Sequence, residues 1–516
     1  SVQLPDEGFT YTASITSTLE NTQSGLPAPF NKSADTVKRF AISSVGDAKA
    51  STIKALLGDD IAFDGILPHQ EMQFSRAHLA LGKSDFTGRG IGLSVSANLP
   101  RIDAGSWYTV IDELISEQKD SEDEQPALFA VPQRLFITTN ELIVAGQTLT
   151  NVDITAKQNS NNWLLDIDTK QARANVSIYE DFLKRGIRVE ADYINLPEWT
   201  TTEPSEEATS VKWSAESLPP VYAFCQQCTL LGNSLGQVTL DVVRGDNGMV
   251  IRQLSTSNKH TQINATGNWN TQTHTTTLTG TLQSDDVGRM LQDLNVNSGI
   301  KDSAASIAFS LDWPESPMDF SVEQLNGDIN WRLTDGYLSE LSDKGSRIFT
   351  LFSLNSLVRK LSLDFRDVFA KGFFYDDMSG TLSIADGRAT TDDTVIDGGA
   401  GEITIKGVTN LAAQKLNYDV SFTPNVTGNL PVLVYFLASP PTALAALAID
   451  QVLTSAKVIS NVNYKVRGTW DNPEFTEVGR DSKEVTLPAR QKNKNEKPAP
   501  LSKPDLERLN LEVQDG

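Results

Sequence analysis

Apolar and polar residues alternate along most of this chain. In "ASIAFSLDW", Ala305, Ile307, Phe309, Leu311 and Trp313 fall on one side of an extended backbone, with small or polar residues between them. "LNYDVSFTP" repeats the pattern with Leu416, Tyr418, Val420 and Phe422, and "VNYKVRGTW" repeats it with Val462, Tyr464, Val466, Gly468 and Trp470. Weaker runs of the same period lie at 149–155, 164–168, 263–269, 275–282, 329–333 and 403–408. They put Ile329, Trp331 and Leu333, then Ile403 and Ile405, on the apolar side. Asn, Asp, Gly and Ser punctuate the runs, as in "IADG" and "RGDNG", which suits antiparallel hairpins. Strands ending in Gly-x-Trp recur at 267–269 and 468–470, without the fixed period of a solenoid.

Helical spacing appears only in short inserts. "SWYTVIDELISEQ" (106–118) places Trp107, Ile111, Leu114 and Ile115 on one side behind a Ser cap, and "SDDVGRMLQDLN" (284–295) does the same with Val287, Met290, Leu291 and Leu294. The pattern predicts a mainly β protein: a long twisted antiparallel sheet with one apolar face and short helical inserts. Charged or Pro-rich stretches divide it into strand repeats over 1–200, a linker at 201–220, a C-terminal β region over 221–480 and a mobile tail over 481–516.

One stretch departs from alternation. "LPVLVYFLASPPTALAALAI", Leu430 to Ile449, holds no charge and is long enough as a helix to match a bilayer's hydrocarbon core of about 30 Å. Pro440 and Pro441 break it in the middle, so two short helical pieces are expected, forming an apolar hairpin over 430–460. Such a hairpin dips into one leaflet, packs over the end of a sheet, or forms part of a globular core. The membrane-contact candidates on it are Leu430, Val432, Leu433, Val434, Tyr435, Phe436, Leu437, Leu444, Leu447 and Ile449.

Composition narrows the function. Of 516 residues, 66 are acidic and 44 basic, a net charge of -22, which excludes ordinary nucleic-acid binding, since phosphate contacts need clustered Lys and Arg. The opening "SVQLPDEGFT" has neither an initiating Met nor a signal-peptide pattern, so the sequence reads as processed or as a piece of something longer. "GNSLG" (232–236) has the spacing of a hydrolase elbow around Ser234. An alternating strand follows it instead of a helix, so a hairpin turn is expected. "GRGIG" (88–92) likewise runs into a strand, with no helix to aim amides at phosphate. Cys225 and Cys228 form a lone CxxC with no second pair to complete a zinc site, leaving a local disulfide or two reduced thiols. The four histidines lack metal spacing, and the pairs Asp376 with Asp377 and Asp392 with Asp393 sit in polar punctuation. No catalytic constellation, cofactor or metal is expected.

The run "LFSLNSLVRKLSLDFRDVFAKGFFYDDMSGTLSIADGRATT" (351–391) resembles the C-terminal AsmA-like region of the YhdP family of Gram-negative envelope proteins. The likeness extends through "CQQCTLLGNSLGQVTL", "ATGNW", "LNGDINWRLTDGYLSEL" and "YKVRGTWDNPEF", covering 224–475 well and the earlier part by strand style. The resemblance implies a non-enzymatic bridge that carries phospholipid between inner and outer membranes, supporting the outer-membrane permeability barrier. It implies a periplasmic chain, anchored in the inner membrane by a segment absent here, whose sheet curls into an apolar groove. It favours a Cys225–Cys228 disulfide, because the periplasm is oxidising. The lipid-groove candidates are then Ile307, Phe309, Leu311, Ile329, Trp331, Leu333, Ile403, Ile405, Tyr418, Val420, Phe422, Tyr464 and Val466. Arg359 and Lys360 have two readings, as attractors of lipid headgroups or as solvated residues paired with Asp364 and Asp367. Envelope proteins are the other partners implied, and a scaffold for outer-membrane assembly is the alternative to transport.

Overall fold

The computed structural model describes residues 2–3, 9–82, 90–111, 128–129, 131–144, 147–196, 214–230, 232–293, 299–338, 373–425, 455–470 and 472–486. Strands dominate. The first run comprises β1 (Val2–Gln3), β2 (Thr10–Ser17), β3 (Phe40–Gly46), β4 (Ala50–Leu57), β5 (Ile61–Pro68), β6 (Arg76–Gly82), β7 (Gly92–Asp103) and β8 (Pro132–Val144). Next come β9 (Gln147–Gln158), β10 (Asn162–Asp168), β11 (Ala172–Tyr179), β12 (Ile187–Leu196), β13 (Val221–Leu230), β14 (Asn233–Gly245), β15 (Gly248–Ser257), β16 (Thr261–Asn270) and β17 (Thr275–Ser284). The last run is β18 (Ile300–Lys301), β19 (Ala304–Pro314), β20 (Asn326–Leu338), β21 (Phe373–Ala385), β22 (Arg388–Gly398), β23 (Gly401–Asn410), β24 (Lys415–Pro424), β25 (Ser455–Thr469) and β26 (Pro473–Thr486).

All belong to one 26-stranded sheet in which each strand pairs with its sequence neighbour. The short β18 is the exception: with β19 it pairs successive stretches of β20, so the two share a lane. No pairing among the described residues joins β26 back to β1, and the sheet stays open instead of closing into a barrel.

Local chemistry explains the hairpins. Between β21 and β22 the turn falls on Asp386 (φ 47°) and Gly387 (φ 68°), the two left-handed residues of a turn whose twist matches that of the strands it joins. The "RGDNG" hairpin closes with Gly245 opposite Gly248, and "GNSLG" supplies the β13 to β14 turn with Gly232 at φ 76°. Ser234 therefore lies on a strand that follows a hairpin turn. The insert at 284–295 is a helix over Val287–Asp293, started by Asp286, whose Oδ1 accepts from the Arg289 amide at 3.0 Å. The insert at 106–118 is helical over 104–111, and 112–118 lie outside the described residues.

The structure changes four expectations. The sheet is mixed: β6 with β7, β7 with β8, and β12 with β13 run parallel. Parallel neighbours need a returning crossover, and inserts between strands supply the length that a tight hairpin lacks. The linker at 201–220 does not divide the sheet, because β12 and β13 on its two sides are paired. Its described end is held by Arg244, which donates to the carbonyls of Ala215, Glu216 and Leu218 at 2.8–3.1 Å. Of the hairpin expected over 430–460, residues 455–460 are instead the start of β25, where the backbone pairs with β26 and satisfies its hydrogen bonds in the ladder. The tail expected from 481 begins as strand, since β26 runs to Thr486. Leu430 to Ile449, Arg359 and Lys360 lie outside the described residues.

Candidate functional site

The pairing registers place apolar residues of successive strands opposite one another in unbroken files. One file runs from Ile15 through Ile42, Ala55, Phe63, Leu79, Val95 and Leu135 to Ala156. It continues through Leu165, Val176, Val189, Ala223, Leu240, Leu254, Ala265 and Gly280, and on to Phe309, Ile329 and Leu382. A second file lies two residues along each strand. It passes Leu57, Ile61, Leu81, Ala97, Ile137, Ile154, Ile167, Ala174, Ala191, Cys225, Val238, Thr256, Ile263, Leu282 and Ile307 to Trp331, with Thr256 its one hydroxyl. At about 4.8 Å per strand the first file spans roughly 85 Å measured along the sheet.

Exposure along these files is uneven. Ile15 is 65% exposed, and from β3 to β20 most file residues are half-buried, a state that a central strand under a packed second layer does not leave. The side chains there are largely Ala, Val, Leu and Ile. Beyond β20 the apolar face is sealed: Ile403 and Tyr464 are 0% exposed, and Ile405, Tyr418, Val420, Phe422 and Val466 are at most 3% exposed. They pack in one cluster with Leu333, Phe373, Tyr375, Met378 and Trp470, which also includes Val287, Met290 and Leu291 of the helix.

The predicted residues thus fall into two groups on one face. Ile307, Phe309, Leu311, Ile329 and Trp331 line its half-open part, while Leu333 and the residues of β23, β24 and β25 lie in the sealed part. Gly407 shows how the sealed part coils tightly: at φ 147° its missing Cβ leaves room for the Tyr418 ring, whose Cδ1 would come within 2.8 Å of one. The alternation runs named none of the first file's residues from β2 to β8. Their strands are broken by Ser, Gly and Asp, and only the cross-strand register, a non-local property, lines them up.

Two phenols in the sealed part find hydrogen-bond partners within it. Tyr418 Oη and Thr409 Oγ1 share a hydrogen bond of 2.7 Å, and Tyr375 donates to Ser303 Oγ at 2.8 Å. Burial, only partly offset by those hydrogen bonds, pushes both phenols up to about 12. Cys225 and Cys228 are joined as a disulfide with Cα atoms 5.9 Å apart, where an extra residue in β13 shifts its register against β14. Both cysteines sit in an apolar cluster with Ala174, Ala191 and Val238. Ion pairs such as Lys54 with Asp64, Arg173 with Asp168 and Lys465 with Asp419 are solvent-exposed. The described residues hold no group of three or more His, Cys, Asp or Glu placed for a metal ion, and none of their helices is long and apolar enough to cross a membrane.

The sequence is similar to that of a known protein. The intermembrane phospholipid transporter YhdP of Escherichia coli (strain K12) is 24% identical over 482 residues, covering 92% of this chain and 38% of that protein. The chain therefore spans well under half of that relative's length. No solved structure matches. The family likeness reaches further toward the N-terminus than the motif-rich half, for the YhdP protein model matches residues 1–475, and the chain belongs to that family.

Proposed function

We propose that this chain is a section of a periplasmic bridge that carries phospholipid between two membranes, with acyl chains lying on the paired apolar files. The observation that carries the reading is their continuity: from β4 to β20 no charged side chain interrupts either file. Burying a methylene is worth about 0.8 kcal/mol, so holding two acyl chains out of water is worth on the order of 20 kcal/mol. A lipid moving along the files exchanges one apolar contact for the next and never meets that penalty at once. The name of the Escherichia coli relative supports phospholipid as cargo. A disulfide on the apolar face suits an oxidising compartment such as the periplasm.

In this reading the groove is one-sided, with headgroups toward solvent. A segment upstream of this sequence holds the bridge to the inner membrane, and the C-terminal end approaches the outer membrane, where transport supports the permeability barrier. Leu430 to Ile449 would contact that membrane and Arg359 and Lys360 its headgroups. Mass spectrometry of organic extracts from the purified chain, beside a control protein of similar size from the same cells, tests the cargo. Stoichiometric phospholipid is expected; a lipid-free, folded sheet would instead favour a scaffold that docks a protein on its apolar face.

A further inference from the structure

The apolar face changes character at β20 while its register does not. Leu333 stands opposite Met378, Met378 opposite Ile396, Ile396 opposite Ile403, Ile403 opposite Phe422 and Phe422 opposite Val462, so the face continues in line across β21 to β25. What changes is side-chain volume. Tyr375, Tyr418, Tyr464, Phe373, Phe422 and Met378 are among the largest fully buried side chains, whereas most upstream positions on the two files are Ala, Val, Leu or Ile, with Phe63 and Phe309 only half-buried. Small residues leave a hollow above the sheet; rings of this size fill it to the density of a protein core, which has no room for a methylene chain. The Tyr375 to Ser303 and Tyr418 to Thr409 hydrogen bonds fix two of the rings in place.

Just before the change, the face is only half covered. Phe309 lies opposite Gly280, where a Cβ would come within 2.8 Å of Phe309 Cζ, so the ring lies down against β17 instead of standing into the hollow. Phe309, Ile329 and Trp331 are half-buried.

We infer that the lipid-accessible face ends at β20, and that β21 to β25 form an aromatic stopper which acyl chains do not enter. A phospholipid then leaves sideways over Phe309, Ile329 and Trp331, and not end-on past β26. This inference rests on the phospholipid reading above and adds where the cargo stops.

The test uses the unaltered chain. It is incubated with vesicles of phosphatidylethanolamine and phosphatidylglycerol containing a phosphatidylcholine with a diazirine near the acyl terminus, irradiated and digested, and adducts are mapped by mass spectrometry. Adducts are expected at Val176, Leu254, Phe309 and Trp331, with yields at least about tenfold lower at Ile405, Tyr418, Val420 and Tyr464, because a packed core excludes the probe. Comparable yields in both sets would overturn the stopper and leave the conduit standing. Adducts absent, or confined to residues on the polar face, would remove the conduit, and the stopper with it.

Discussion

Asp393 shows what a polar punctuation residue does once the strands are paired. It lies in a bulge of β22, where the register against β23 shifts between Thr391 and Thr394, and its carboxylate accepts from the Thr381 amide at 2.8 Å and the Thr381 hydroxyl at 2.9 Å. Burial pushes this carboxyl up, but the hydrogen bonds from Thr381 and Thr391 outweigh it and hold the group below its ordinary value. The site is exposed, so Asp393→Asn should lower the unfolding free energy by only about 1 kcal/mol at pH 7 in urea denaturation. A depressed folded value makes this stabilisation fully present above the unfolded carboxyl value of about 3.9 and lost as pH falls through the folded one. The gap between wild type and Asp393→Asn should therefore close in acid, and an undiminished gap at pH 3 would rule out the charge as its source. The acidic pair itself was legible in the sequence, but its role was not, because Thr381 comes from the neighbouring strand.

At the scale of elements, the disulfide staples one bulge. Cys225 and Cys228 enclose a short loop, so chain-entropy arguments limit its contribution to about 2 kcal/mol. Reduction, or Cys225→Ala with Cys228→Ala, should raise amide hydrogen exchange in β13 and β14 while the strands beyond β16 keep their protection. Exchange rising evenly through the sheet would show instead that the bridge supports the whole fold. Hairpins and inserts were readable element by element: the Asp386 and Gly387 turn and the helix at Val287–Asp293 follow from residues that are neighbours in sequence. The start of β25 was not, since a short apolar run such as "AKVIS" suits helix or strand until its partner in β26 is known.

For the whole molecule, a bridge works as resistances in series. A carboxylate placed on either file keeps water at that point and forces passing methylenes out of apolar contact, at about 0.8 kcal/mol each. In the full-length protein, Val176→Asp and Leu254→Asp should each slow transfer of labelled phospholipid at least about tenfold, the rate ratio of a 1.4 kcal/mol barrier. Since barriers in series are dominated by the highest, the double variant should be little slower than either. Asn264→Asp, on the exposed face of β16 beside Ser255 and Thr281, should leave transfer unchanged. A slowing by Asn264→Asp equal to that by Leu254→Asp would mean that the apolar face is not the path.

Sequence by itself determined that this chain is built of strands with one apolar side, punctuated by turns and short helices, because the period-two pattern and turn residues are local properties. It also carried the family likeness, through a motif whose side chains lie largely outside the described residues. Tertiary structure decided the rest. The apolar sides of successive strands form continuous files only through cross-strand register, and three pairings run parallel because inserts return the chain to the far end of a strand. Alternation is the same in "ASIAFSLDW" and "LNYDVSFTP", yet the first lies half-open and the second sealed. The difference lies in how the volumes of side chains from many strands fill one shared interior, and no single strand contains that information.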